Sequence, residues 1–109
     1  MSQVLSDLLS IDALLSDETK WCRDVFARDK AGRAVSPYNP CARSWCLAGA
    51  IARACGGLDA GAQRHQYVIN ALEDVLSGSD TLIIFNDDND FSAVKALLAE
   101  AIRRNTIEA

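Results

Sequence analysis

The chain has 109 residues, 50% of them hydrophobic and 24% charged, with a net charge of −4, which fits one globular helical domain spanning 1–109. A pI near 4.8 leaves no basic surface to neutralise phosphates, so nucleic acid is not an expected partner. No apolar run approaches the roughly 18 to 20 residues that cross a bilayer, and Met-Ser-Gln-Val-Leu lacks the basic stretch of a signal peptide, so a cytoplasmic protein without membrane contact is expected.

Ser2 offers an N-cap to a first helix whose Val4, Leu5, Leu8, Ile11 and Leu15 recur at helical spacing, and Ser16-Asp17 ends it. From Trp21 to Val35 the periodicity loosens. Asp29-Lys30-Ala31-Gly32 turns the chain with Gly32 at positive φ, which predicts a short β-hairpin or an ordered loop. Asn39-Pro40 reads as a helix start, an N-cap oxygen followed by a residue whose missing donor does no harm there. The helix it opens, about 40–55, ends at Gly56-Gly57. A third helix from about Ala62 to Leu76 buries Val68, Leu72, Val75 and Leu76 and breaks at Ser-Gly-Ser-Asp. Thr81 to Phe85 reads as a buried, strand-like segment, and Asn86 with Asp87 as an Asx-type turn. Asp90 then caps a last helix that repeats Val94, Leu97, Leu98, Ala101 and Ile102. The expected fold is mainly α: a compact bundle of about four helices around a central buried helix at about 40–55, with a short β-hairpin or extended segment.

Residues 41–57, Cys-Ala-Arg-Ser-Trp-Cys-Leu-Ala-Gly-Ala-Ile-Ala-Arg-Ala-Cys-Gly-Gly, hold three of the four cysteines. On a helix turning about 100° per residue, Cys46 and Cys55 point to opposite sides, and Cys41 and Cys55 stand about 21 Å apart. Neither a metal nor another cofactor is expected, and without a Cys-x-x-Cys pair in a reducing compartment the thiols stay free. The same geometry puts Trp45, Ala48, Gly49 and Ala52 on a packing face, with Gly49 marking a close approach by a neighbouring helix or by the Trp45 ring. Arg43, Cys46, Ala50 and Arg53 share another face, where guanidinium groups would favour a reactive thiolate; arginines at a solvent edge beside a small buried cysteine is the preferred reading. His65, three residues before Val68 on the third helix, borders the core or solvent, and a role as a base for Cys46 rests on no motif. The acidic run Asp87, Asp88 and Asp90 lacks the glycine turn and distal glutamate of an EF-hand loop and reads as a solvated cap.

Lys20-Trp21-Cys22, the segment 27–33, Trp-Cys-Leu-x-Gly-Ala at 45–50, Asn86-Asp87 and the closing stretch 94–102 together resemble an uncharacterised family, a domain of unknown function, of small proteins from bacteria and their phages. Phe85 stands where that family usually carries tryptophan. The resemblance implies the helical fold and a bacterial or phage setting, and it adds no catalytic residue.

With no catalytic constellation, the chain reads as a small non-catalytic binding or inhibitor protein acting through contact with another protein, a phage-encoded antagonist of host defence being one concrete form. The alternative is a small-molecule or nucleotide-binding protein, or a weak enzyme, with a pocket near Trp21, Arg43, Trp45 and Asn86. The candidate binding residues are Trp21, Arg28, Arg43, Trp45, Cys46, Asn86 and Asp87. A pocket enclosed by aromatics and arginines would point to the small ligand, a broad exposed apolar or acidic surface to the protein partner.

Overall fold

Ser2 caps the first helix, α1 (Gln3–Leu14), its side chain accepting from Leu5 N–H, and Leu5, Leu8 and Ile11 turn the buried face inward at the expected spacing. The computed structural model describes residues 2–55, 58–78 and 80–108. After a single 3₁₀ turn at Glu18–Lys20 come three short strands, β1 (Ala27–Asp29), β2 (Ala34–Val35) and β3 (Ala42–Trp45), forming one antiparallel sheet in the order β2-β1-β3. Four more α-helices follow: α2 (Leu47–Ala54), α3 (Leu58–Leu76), α4 (Leu82–Asp88) and α5 (Phe91–Glu108). The described residues are thus mainly helical, with five α-helices rather than four and one small sheet.

The expected hairpin is present. Gly32 takes φ +84°, Gly32 N–H bonds to Asp29 O and Asp29 N–H to Arg33 O, both at 2.9 Å, and the Asp29 carboxylate accepts from the N–H groups of Ala31 and Arg33. A short polar side chain and a glycine in the left-handed region close the turn from both sides.

Three expectations are overturned. Asn39-Pro40 starts no helix: Asn39 Oδ1 accepts from Cys41 N–H at 2.8 Å and its carbonyl from Ala42 N–H at 3.0 Å, a local turn that feeds β3. Residues 42–45 are instead a strand, paired with β1 from Asp29↔Ala42 to Ala27↔Trp45, because sheet hydrogen bonds and burial of Ala42, Ser44 and Trp45 outweigh local helix propensity. The helix begins only at Leu47, with Cys46 as its N-cap, Sγ accepting from Gly49 N–H at 3.3 Å. The expected terminus at Gly56-Gly57 lies outside the described residues. Second, residues 82–85 are not extended: Thr81 caps α4, its side chain accepting from Ile84 N–H, and Leu82 and Asn86 face inward one helical turn apart. Third, Asn86 and Asp87 lie in the last turns of α4 and not in an Asx turn.

The α2 helix touches α1, α3 and α4. Its Leu47, Ala50 and Ile51 join Leu8, Ile11 and Leu15 of α1, Val68 and Leu72 of α3, and Val94 and Leu98 of α5 in one core. Each such large apolar side chain contributes about 1.5 to 3 kcal/mol. Two ion pairs tie α1 to its neighbours: the buried Asp7 carboxylate receives Arg64 of α3 at 2.7 Å, and Lys95 of α5 reaches Asp12 at 2.6 Å while donating to the Asp12 and Leu15 carbonyls. Asp90 caps α5, accepting from Ala93 N–H at 2.9 Å, and those donors hold its carboxyl below the usual range.

Gly49 is indeed a point of close approach, but the neighbour is neither a helix nor the Trp45 ring. The backbone of Phe26 lies against it, so a Cβ would overlap the Phe26 carbonyl oxygen and stand 2.9 Å from its carbon. That carbonyl is also bonded to Cys46 N–H at 3.2 Å and has no room to retreat. Gly49→Ala is expected to lose about 3 kcal/mol in urea unfolding. Gly32→Ala meets open space and only the strain of its positive φ, and is expected to lose about 1 kcal/mol. Equal losses would contradict this account of the Phe26 contact.

Candidate functional site

Asn86 is 1% exposed and uses its whole amide. Oδ1 accepts from Trp21 Nε1–H at 2.7 Å and from Leu47 N–H at 2.9 Å; Nδ2 donates to Cys22 O at 3.1 Å and to Asp87 Oδ1 at 3.2 Å. One side chain therefore joins the segment before the sheet, the first turn of α2 and the last turns of α4. Asp87 extends the knot: its Oδ1 accepts from Asp24 N–H at 3.1 Å, fixing Asp24 at φ +72°, a conformation aspartate tolerates better than most residues. Trp21, held through its indole N–H, stacks obliquely on Phe91 at 5.9 Å and carries the Arg23 guanidinium over its ring at 4.8 Å. Cys22 N–H bonds to Trp45 O at 3.1 Å, beside the parallel bridge between Trp21 and Trp45.

On the solvent side of this knot lies an open cleft of about 470 Å³, between the approach to β1, the end of β2 and α4. Cys46, Asn86 and Asp87 contribute to its floor, Val25, Phe26, Val35 and Ile83 to its walls. Phe26 and Ile83 are 54% and 52% exposed, and Ile84 beside them is exposed too. Asp24 and Asp87 are the acidic residues of its lining, and among the described residues no lysine, arginine or histidine lines it.

Of the residues chosen from the sequence, Cys46, Asn86 and Asp87 meet at the cleft, and Trp21 supports them from behind. Arg28 lies along the hairpin, donating to Gly32 O and Arg23 O. Arg43 and Trp45 border a separate groove of about 300 Å³ together with Lys20 and Arg53. There Trp45 Nε1–H and Arg53 both donate to Pro37 O, Arg53 also to Asn39 O, and the Arg53 guanidinium sits 5.6 Å from the Trp45 ring, so these groups anchor the turn at 37–39. His65 lines a third hollow, of about 160 Å³, with Ile69 and Leu82. Sequence reasoning missed Asp24, Phe26, Val35 and Ile83. The two large apolar side chains belong to no inward-facing periodic set, and that was the one trace they left.

The cysteines are four free thiols, Cys41 exposed and the other three buried. Burial pushes the Cys46 thiol up, only partly opposed by the Gly49 N–H; Cys22 and Cys55 are raised for the same reason. Arg43 projects from a strand and donates to the Pro40 carbonyl, and Arg53 is spent on the Pro37 and Asn39 carbonyls. A neutral, buried thiol is a poor nucleophile. Among the described residues no three of His, Cys, Asp and Glu gather as metal ligands, and no buried side-chain nitrogen or oxygen lacks a partner.

A model of a family of unknown function, DUF6197, matches residues 1–104. The chain belongs to that family. No curated protein and no solved structure matches it. The segments that carry the sequence resemblance, Lys20-Trp21-Cys22, Trp45 to Ala50 and Asn86-Asp87, converge on the single knot around the Asn86 amide.

Asn86→Ala leaves Trp21 Nε1–H, Leu47 N–H and Cys22 O without partners in the interior and is expected to lose about 3 kcal/mol, read by denaturant unfolding; a loss under about 1 kcal/mol would refute the knot. Iodoacetamide should label Cys41 rapidly and the other thiols only on unfolding. Because the folded state holds the Cys22, Cys46 and Cys55 protons more tightly than the unfolded chain, stability is complete below the ordinary thiol value of 9.0 and falls as pH rises above it. Cys46→Ser keeps an N-cap oxygen and should flatten that fall in thermal melts at pH 8 to 10.5.

Proposed function

We propose that this protein is a small non-catalytic cytoplasmic binding or inhibitor protein that engages another protein through the cleft between the hairpin and α4. The observation that carries this reading is the apolar rim: Phe26 and Ile83 are each more than half exposed, face one open cleft with Val25 and Val35, and lie beside Ile84. Contiguous exposed apolar surface on a small domain marks a contact site far better than scattered single residues do. The raised Cys46 thiol and the fully bonded Asn86 amide favour recognition by surface over chemistry in the cleft.

A second reading rests on the cleft volume, about 470 Å³, which falls within the range of small-molecule sites. The two carboxylates and the lack of a lining cation disfavour a nucleotide there and leave an apolar or cationic small ligand as the alternative.

Site-specific photo-crosslinking separates the two. A benzophenone amino acid replacing Ile83, in cells of the source organism, should give a discrete protein adduct that the same probe replacing exposed Ile107 does not give. Identical adducts from both positions, or no protein adduct together with a co-purifying small molecule in native mass spectrometry, would overturn the proposal.

A further inference from the structure

We infer that the partner docks as an extended polypeptide segment lying along the cleft, presenting one lysine or arginine to Asp24 and Asp87 and apolar side chains to Phe26, Val35 and Ile83. This deepens the protein-binding reading above and rests on it.

The backbone around the cleft favours a strand-like occupant. In the β1–β2 ladder Asp29 N–H bonds to Arg33 O, and Ala27↔Val35 is the next pair in the same phase. The intervening pair Arg28↔Ala34 is then of the non-bonded kind, which turns Ala34 N–H and C=O away from β1 toward the open edge of the sheet. The phase is confirmed on the other side, where Cys46 N–H bonds to Phe26 O, two residues from Arg28↔Ser44. Consecutive residues of an extended chain point to opposite faces, yet Ala34, Val35 and Ser36 all line the cleft. The cleft therefore runs along the β2 edge and not over one face of the sheet. Beyond Val35 the chain leaves β1 at Pro37, whose carbonyl is held by Trp45 and Arg53. The continuing edge at Val25 is left uncovered: among the described residues its N–H has no hydrogen-bond partner and its carbonyl accepts only from the Cys22 thiol, at 3.7 Å. Exposed edges of this kind are the surfaces that extended peptides extend, with main-chain bonds supplying affinity and side-chain pockets specificity.

Charge selects the occupant. Among the described residues neither Asp24 nor Asp87 forms an ion pair. Arg23 and Arg28, which flank Asp24 in the chain, donate elsewhere, Arg23 to Asn89 O and Arg28 to the Gly32 and Arg23 carbonyls. Two acidic residues without an ion-pair partner among the described residues, lining a cleft with apolar walls, complement a basic side chain flanked by apolar ones.

The test uses the full chain and a positional-scanning library of acetylated, amidated heptapeptides. Selected peptides should carry Lys or Arg at one position with apolar residues alternating around it. Their affinity, by fluorescence polarisation, should fall about tenfold or more on N-methylation at alternate residues and on Asp24→Asn, which removes the charge while keeping a side chain suited to positive φ. Added salt should weaken them as well. Selection of nothing, of peptides without a basic residue, or of peptides indifferent to N-methylation or to Asp24→Asn would each overturn the inference. The double variant Phe26→Ala, Ile83→Ala, with folding verified by circular dichroism, separates the levels. Peptides that lose binding to it but ignore charge and N-methylation leave the cleft as the contact surface and refute the strand-like basic segment. Peptides that bind it unchanged refute both.

Discussion

The Asn86 amide saturates four hydrogen bonds in a place closed to water, and the positions of three chain segments depend on it. Its oxygen neutralises one of the N–H groups that the first turn of α2 leaves without a helical partner. The same oxygen accepts from the indole N–H of Trp21, and the amide nitrogen donates to the carbonyl of Cys22. In a low-dielectric interior such bonds are strong when all are made and leave several buried groups destabilised when one end is lost. Asparagine suits the position because an amide both donates and accepts; aspartate would have no proton for Cys22 O, and leucine would strand three partners.

The second constraint is steric. Phe26 runs its backbone against Gly49, so the strand that leads into the hairpin lies on the first turn of α2. Together with the Asn86 bonds this sets the distance between hairpin and α4, and the cleft is the space left between them. Its character follows from α4 being a helix. Leu82 and Asn86 turn inward one turn apart, which leaves Ile83 and Ile84 on the outside. The acidic end follows from the same geometry, because Asp87 reaches back to hold Asp24.

The chemistry of the site is consequently quiet. The one thiol that lines the cleft caps a helix and is kept protonated by burial, and the aromatic residues chosen from the sequence serve as struts: Trp21 through its indole N–H to Asn86, Trp45 through its own to Pro37. Arg28, Arg43 and Arg53 behave alike, each donating to nearby backbone carbonyls. What the cleft itself offers is shape, exposed apolar surface and two acidic residues.

Local and periodic signals were legible in the chain itself. The Ser2 and Asp90 caps, the inward stripes of α1 and α5, the core positions Val68 and Leu72, and the Gly32 turn each depend on residues within a few positions of one another. Cys46, Asn86 and Asp87 could be singled out from the chain, but not the contacts they make. Those were decided by tertiary structure. Residues 42–45 become a strand because β1, some fifteen residues earlier, offers a ladder; Leu82 to Phe85 lie in a Thr81-capped helix that carries Asn86 to Trp21 and Leu47 at once. Asn86 bonds partners 65 and 39 residues away, and Gly49 answers to Phe26, pairings that no helical or strand period encodes. Periodicity reports which side of an element faces inward; only the folded chain determines what it meets there.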